Sequence, residues 1–267
     1  MLNLTNNAAK QRYLQEMTRQ QIILERTFIK RLSPIIKKQF LDSASVVRRN
    51  SKDINYAVNS KRGVMIKEIS SIYKRTAVTF KSKVDKVRKK DYSYYEHKKT
   101  DDVFWSSLRF WLDTYAARKV AGVNETTRKA ILAIIKKGME REEANADIAD
   151  KLADIGDIAS KSRAATIART ETHGAAIMAI DSAIRDYLGE SAQTKEWLAA
   201  NDERTREDHA DVSGDIVGMD ESFSVGDEEM EYPGDPSASA GQVVNCRCVV
   251  MYHTNSGDIE GEGGDNE

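Results

Sequence analysis

The sequence predicts a mainly α-helical protein, with long bundled helices in the first two thirds and a small α+β module at the C-terminal end. Helix-breaking residues are scarce before Gly189 and frequent after it, and Pro34 is the only proline before Pro233. Apolar residues recur at three-to-four spacing in the first part, whereas short apolar runs between turn residues follow it. We place the boundary near Gly189 to Ala192.

Charge divides the chain in a similar way. The formal net charge of −1 comes from 41 basic and 42 acidic residues. Residues 1–100 hold 24 basic and 8 acidic residues, residues 101–189 hold 13 and 14, and residues 190–267 hold 4 and 20, which gives +16, −1 and −16. Such asymmetry indicates contact of one end with nucleic acid or another charged surface.

Several classes of protein are excluded by the sequence. No apolar run approaches the roughly 18 residues that a membrane-spanning helix requires. Residues 1–7 have neither the basic nor the apolar region of a secretory signal, so we expect the protein to stay in the compartment where it is made. The two cysteines, Cys246 and Cys248, are one residue apart, which suits thiols or metal ligands better than a disulfide framework.

The first 100 residues are predicted to form a basic, extended helical arm. Helices are expected over 6–32, 34–59 and 64–90. Ser33 and Pro34 should separate the first two, because serine suits a helix cap and proline suits a first turn. The third helix has an apolar face opposite a heavily basic one.

Residues 101–190 are predicted to form a helical subdomain. Its first helix begins with the acidic pair Asp101 and Asp102 and carries the richest aromatic cluster of the chain. Shorter helices should follow over 124–137, 142–155 and 161–187, with connectors at residues 122–124, 139–142 and 156–158.

Residues 191–253 are predicted to form the α+β module, and residues 254–267 a disordered acidic tail. Strands are expected at 194–200 and 249–252, with a turn and short helix at 202–209. A strong turn is expected at Tyr232 to Pro236. The tail is glycine-rich and acidic with one large apolar residue, which is typical of disorder.

Six separated motifs carry the most specific signal. In chain order they are Ala168-Arg169-Thr170-Glu171-Thr172, Lys195-Glu196-Trp197, Asp202-Glu203-Arg204-Thr205-Arg206-Glu207-Asp208-His209, Phe223, Tyr232-Pro233-Gly234-Asp235-Pro236 and Asn245-Cys246-Arg247-Cys248. Their succession resembles the phage Mu F-like minor head protein family, also called the phage head morphogenesis domain, over roughly Thr126 to Tyr252.

The resemblance implies a minor structural protein of a tailed-phage or prophage head. Such a protein associates with the portal and acts in capsid assembly, with DNA packaging or ejection as further roles. The implied partners are the portal protein and the major capsid or scaffolding protein, and the implied location is the capsid interior or portal vertex, with the host cytoplasm during assembly. The resemblance implies no catalytic residue, so we predict a protein that is not an enzyme.

The motifs supply the candidate structural or interaction residues. Their charged members can form an internal ion-pair network or contact the helix that bears Arg169 and Glu171, and we favour the network because a small module has little core. The candidates are Arg169, Glu171, Trp197, Asp202, Arg204, Arg206, His209, Pro233, Gly234, Asp235, Asn245, Cys246, Arg247 and Cys248.

Three of these residues are also candidate metal ligands. His209, Cys246 and Cys248 offer soft donors of the kind that zinc prefers, with His173 or His253 as a fourth. A Cys-x-Cys on a strand points both thiols to one face, but zinc knuckles usually have wider spacing and a second pair. Zinc is therefore a candidate cofactor and no cofactor is certain. The competing hypothesis is a virion-carried metal- or thiol-dependent enzyme or effector, with His209 activating Cys246.

The basic helical region has candidate contact residues for double-stranded DNA or for the portal. Lysine and arginine neutralise phosphates, but the same charges suit an acidic protein surface, or simply a solvated helix face. The candidates are Lys81, Lys83, Lys86, Arg88, Lys89 and Lys90.

Overall fold

The computed structural model describes residues 7–88, 102–188 and 192–254. It confirms long N-terminal helices followed by a small sheet and helix module. The helices are α1 (Asn7–Arg48), α2 (Ile54–Asn59), α3 (Arg62–Arg88), α4 (Asp102–Glu140), α5 (Asn145–Leu188), α6 (Glu207–Asp211) and α7 (Ala240–Val243). The strands are β1 (Ala192–Leu198), β2 (Ile216–Gly218), β3 (Phe223–Val225), β4 (Glu228–Met230) and β5 (Val249–Thr254).

Helix α5 is the centre of the bundle. From Thr170 to Ile184 every residue of it is buried, because α1, α3, α4 and the C-terminal module surround it. Its alanines and Gly174 let these neighbours approach closely. A helix that is buried on all sides needs small or apolar residues all round, which is why its sequence shows little amphipathic periodicity.

The basic region packs against this central helix. Phe28, Leu32, Ile36 and Phe40 of α1 join one core with α3, α4 and α5. The described part of the predicted arm, residues 7–88, therefore lies within the bundle. None of the described helices is long and apolar enough to cross a membrane.

The predicted helix break at Ser33 and Pro34 is wrong. Helix α1 continues through Pro34, which lies on its exposed side. A proline inside a helix removes one hydrogen bond and costs about 3 kcal/mol. Burial of Leu32 and Ile36 on the opposite side offsets this cost, at roughly 1.5–3 kcal/mol for each side chain. The helix ends instead near Asn50, whose φ of 54° is left-handed.

Two further predicted connectors are also helical. Helix α4 continues through Gly122, and α5 continues through Gly156. The connector at residues 139–142 is confirmed approximately, because α4 ends at Glu140 and Glu142 has a φ of 55°. Isolated glycines weaken a helix by only about 1 kcal/mol, which tertiary packing readily overcomes.

Gly156 and Gly122 make a matched pair of substitutions. A Cβ at Gly156 would lie 2.6 Å from Phe40 Cβ, whereas a Cβ at Gly122 meets nothing within 4 Å. We expect Gly156→Ala to destabilise the bundle by about 1–3 kcal/mol through overpacking, despite alanine's better helix propensity. Gly122→Ala should stabilise it by about 0.5–1 kcal/mol. Urea unfolding checks both values, and equal stabilisation by the two variants would contradict the close α1–α5 contact.

The C-terminal module contains a three-stranded antiparallel sheet in the order β2-β1-β5 and a β3-β4 hairpin. Trp197 pairs with Val250, and Lys195 pairs with Tyr252. The two predicted strands are present as β1 and β5, whereas β2, β3 and β4 were not predicted. The hairpin turns at Gly226, whose φ of 59° favours glycine.

The module is joined to the bundle by polar contacts as well as by its core. Tyr13 Oη donates to the Val250 carbonyl at 3.2 Å, and Tyr252 Oη donates to Asp181 Oδ1 at 3.0 Å. Lys10 Nζ lies 2.6 Å from Glu196 Oε1. Of the predicted tail, only Thr254 is described, and it ends β5; residues 255–267 lie outside the described residues.

Candidate functional site

His209, Cys246 and Cys248 converge in the core of the C-terminal module. Helix α6 carries His209, Cys246 follows α7, and Cys248 immediately precedes β5. His209 Nδ1 lies 3.4 Å from Cys248 Sγ and 3.7 Å from Cys246 Sγ, and the three potential ligand atoms are all within 4.8 Å of one another. None of the three residues is more than 2% exposed.

The tautomer of His209 follows from its other contacts. Gln242 Nε2 donates to Asp208 Oδ2 at 2.8 Å, so Gln242 Oε1 is the atom that faces His209. His209 Nε2 lies 3.0 Å from this oxygen and must carry the proton that it donates. The Nδ1 lone pair is thereby directed towards the two sulfur atoms.

The two thiols differ in acidity. The Cys246 thiol donates to the sulfur of Cys248, and this hydrogen bond lowers the pKa of Cys248. The same hydrogen bond, together with burial, raises the pKa of Cys246. Cys246 Sγ lies 3.7 Å from His209 Nδ1, and both residues are enclosed by side chains that include Trp197 and Phe223.

The two histidines considered as a fourth ligand lie elsewhere. His253 Nε2 is 3.0 Å from Glu196 Oε2 on the sheet. His173 lies in α5, with Nδ1 3.3 Å from Gln21 Nε2, and burial lowers its pKa to about 3. Among the described residues, the group of His, Cys, Asp and Glu ligands at this site therefore has three members.

The charged residues of the Asp202–His209 and Asn245–Cys248 motifs contact one another within the module. Arg247 donates to Asp202 from both Nη1 and Nη2, and Arg206 Nη2 donates to the Val244 carbonyl at 2.6 Å. Arg204 uses its backbone N–H to donate to Asp202 Oδ1 at 3.0 Å. These hydrogen bonds connect the loop around Asp202 to the segment 244–247, so the two motifs are adjacent in space.

Two motif residues of α5 contact different neighbours, Arg169 the module and Glu171 helix α3. Arg169 Nη1 donates to Asn245 Oδ1 at 3.0 Å, and Asn245 has a left-handed φ of 59°. Buried Glu171 accepts a 2.5 Å hydrogen bond from Tyr73 Oη, and burial raises the pKa of this carboxyl group.

The Tyr232–Pro236 turn packs against the same helix. Gly234 has a φ of 82°, and its carbonyl oxygen would lie 3.1 Å from a Cβ at Gly174. Asp235 accepts backbone hydrogen bonds from Glu231 and Ser237 at 2.9 and 2.8 Å, which fixes the turn around Pro233. These motifs therefore hold the module on α5.

Part of the chain matches a known protein family. Residues 129–251 match the model of the family described as Phage Mu protein F like protein. The family predicted from the six motifs is confirmed. The Mu F-like segment begins within α4 and contains all of α5 and most of the module. The match indicates phage head morphogenesis.

A curated relative of this chain carries no functional description. It is the "Uncharacterized protein YqbB" of Bacillus subtilis (strain 168), which is 26% identical over 147 residues. The alignment covers 52% of this chain and 46% of that protein, so the chain spans about half the length of this relative. No solved structure gives a significant match.

The candidate DNA or portal contacts lie outside the Mu F-like segment, and they differ in accessibility. Lys81 is only 8% exposed, because its Nζ contacts Asp85 and lies 5.4 Å above the centre of the Phe104 ring. Lys83 Nζ is 2.5 Å from Glu16 Oε1, whereas Lys86 is exposed. The side chain of Arg88, and Lys89 and Lys90 entirely, lie outside the described residues.

A basic stripe on α1 was missed by the sequence reasoning. Arg12, Arg19, Arg26 and Lys30 are all exposed, and the first three recur every seven residues, which is nearly two helical turns. Two of its members, Arg19 and Arg26, line a groove of about 530 Å³ between α1 and the Asp202–Arg247 pair. The seven-residue spacing is visible in the sequence. The prediction was instead placed on α3, because α3 contains more lysines.

Proposed function

We propose that this protein is a minor structural protein of a tailed-phage or prophage head, associated with the portal vertex and acting in capsid assembly. The observation that carries the proposal is the match of residues 129–251 to the Mu F-like family. The positions of its motif residues agree with a structural role, because they form contacts between and within elements instead of lining an open active site. Asn245 contacts Arg169 and Thr170 of α5, Glu171 contacts Tyr73 of α3, and Arg206 contacts Val244 within the module.

The basic stripe on α1 is the surface that we assign to the portal. Its four cations extend over 18 residues, or about 27 Å of helix. Ile22 and Ile23, which are 39% and 53% exposed, line the same groove as Arg19 and Arg26. Exposed apolar side chains among arginines suit an acidic protein surface better than a DNA backbone, because a protein surface also offers apolar groups for the isoleucines to contact, whereas phosphates do not.

Contact with DNA, in packaging or ejection, is the second candidate function. The charge of the stripe favours it. If the four cations neutralise four phosphates of a duplex, the logarithm of the binding constant should fall against the logarithm of salt concentration with a slope of about −3.6. A filter-binding series with the full chain measures this slope, and absence of binding at low salt contradicts the DNA role.

The enzyme or effector hypothesis has less support. Cys246 and His209 are close enough to act as a pair, but both are nearly inaccessible to solvent. A substrate could reach the thiol only after the module opened.

The portal assignment is tested by exchanging charges in the phage or prophage that encodes the chain. We expect replacement of Arg12, Arg19, Arg26 and Lys30 by glutamate to remove the protein from purified heads and to abolish its cross-links to the portal. The matched control replaces four other exposed cations, Lys52, Arg62, Lys74 and Arg75, and should retain incorporation. Mass spectrometry of the purified heads measures both the amount of incorporated protein and its cross-links to the portal.

Two results would contradict these proposals at different levels. Absence of the wild-type protein from heads, together with normal assembly after deletion of its gene, would contradict the head role. Normal incorporation and cross-linking of the glutamate variant would contradict only the assignment of the stripe.

A further inference from the structure

We propose that His209, Cys246 and Cys248 bind a Zn²⁺ ion that stabilises the C-terminal module. This inference goes beyond the role in the phage head. It depends on the spatial arrangement of three soft donor atoms, on the residues that orient them, and on the small size of the core in which they lie.

The distances agree with tetrahedral zinc coordination. Zn–S bonds of about 2.3 Å and a Zn–N bond of about 2.05 Å at tetrahedral angles place nitrogen about 3.5 Å from each sulfur and the two sulfurs about 3.8 Å apart. The observed N···S distances are 3.4 and 3.7 Å, and the three atoms are all within 4.8 Å of one another. An ion can therefore be bound with little movement of the side chains.

The residues around His209 orient it as a zinc ligand. Metal-binding histidines usually donate their second N–H to an acceptor, which directs the other nitrogen towards the metal. Gln242 is this acceptor here, and Asp208 in turn accepts from Gln242. Gly226 allows the β3–β4 turn to approach closely, since a Cβ there would lie 2.7 Å from Asp208 Oδ2.

The ligand set favours zinc over harder cations. Thiolate and imidazole ligands select zinc and other soft metals, whereas calcium and magnesium require oxygen. The fourth position would be occupied by a non-protein ligand such as water, because the described group of ligands has three members. A bound ion would connect α6, the segment after α7 and the start of β5.

The size of the module gives the ion a physical role. Its separate apolar cluster contains nine buried residues, two of which are the cysteines themselves. Small domains with so little core are commonly stabilised by disulfides or structural metals. The spacing of the two cysteines does not suit a disulfide framework, so a metal is the cross-link that fits.

The first test measures metal content in the full chain, purified under reducing conditions without added chelator. We expect about one Zn²⁺ per chain by elemental mass spectrometry. Cys246→Ser and Cys248→Ser should each reduce this content at least tenfold, on the scale expected for loss of a ligand. His253→Asn removes a histidine outside the cluster and should retain the metal.

A second test does not depend on whether the cysteine variants fold. Wild-type protein stripped of metal and reconstituted with Co²⁺ should show the intense visible bands of tetrahedral coordination and a thiolate charge-transfer band. Gln242→Met leaves all three ligands in place but removes the acceptor of His209, so zinc affinity should fall by about 10–100-fold while saturating zinc still binds.

Two results would overturn the proposal. One is reduced, folded wild-type protein that binds neither Zn²⁺ nor Co²⁺ after reconstitution. The other is loss of metal from His253→Asn to the same extent as from the cysteine variants, because the ion would then lie elsewhere. Both measurements use the isolated protein, so they do not depend on its role in the phage head.

Discussion

Trp197→Ala should destabilise the C-terminal module by about 3–5 kcal/mol, the range for removal of a large aromatic side chain from a core. Trp197 is fully buried on β1, and its ring centre lies 5.3 Å from those of both His209 and Phe223. Its loss would open a cavity beside the three candidate ligands. Hydrogen exchange of the β1 and β5 amides, measured with chemical unfolding, gives the change in stability.

Trp105 provides the matched control. It lies on α4 and is 43% exposed, so Trp105→Ala removes the same side chain from a half-exposed site. We expect a loss of about 1–2 kcal/mol for this variant, smaller than for Trp197→Ala, because a half-exposed side chain loses less buried area and leaves no closed cavity. Similar losses in the two variants would contradict the central position of Trp197.

Acidification should destabilise the fold through His173. Burial lowers the pKa of His173 to about 3, against a value of about 6.5 in an unfolded chain. Between these values the unfolded chain binds a proton that the folded chain does not. Stability therefore rises with pH across this window and is lost on acidification. At pH 4.5, two pH units below the unfolded pKa, the loss from this group is about 2.7 kcal/mol relative to pH 7.5.

His173→Gln isolates this contribution. The free energy of unfolding of each protein is measured at pH 7.5 and pH 4.5, and the difference between the two pH values should be about 2.7 kcal/mol smaller in the variant. Any effect of the substitution on stability that does not depend on pH cancels in this comparison. The titration of carboxylates and of the candidate zinc ligands also cancels, because both proteins contain the same groups. Equal pH dependence in the two proteins would contradict the prediction.

The division into helices and module was predictable because it depends on glycine and proline frequency. The continuity of α1 through Pro34 and of α5 through Gly156 was not predictable. At both positions, packing against residues distant in the sequence overcomes the local tendency of the helix to break. Local propensity favours a break at both positions. Tertiary contacts supply the larger free energy.

The candidate metal ligands were predictable as residue types, but their proximity was not. Cys246 and Cys248 stand beside β5, whereas His209 belongs to a helix 37 residues earlier than Cys246. Only the pairing of β1 with β5 and the docking of α6 bring them together. In the same way, the count of lysines on α3 did not reveal that Lys81 turns inward while the arginines of α1 face solvent.

The position of α5 affects how the chain can evolve. The Mu F-like segment begins within α4, yet its central helix is covered by α1 and α3, which carry no family motif. Genetic exchange of residues 129–251 alone would place a foreign α5 against the resident Phe40, where only glycine at position 156 fits without displacement. The N-terminal helices and α5 must therefore be inherited together or change in compensating pairs.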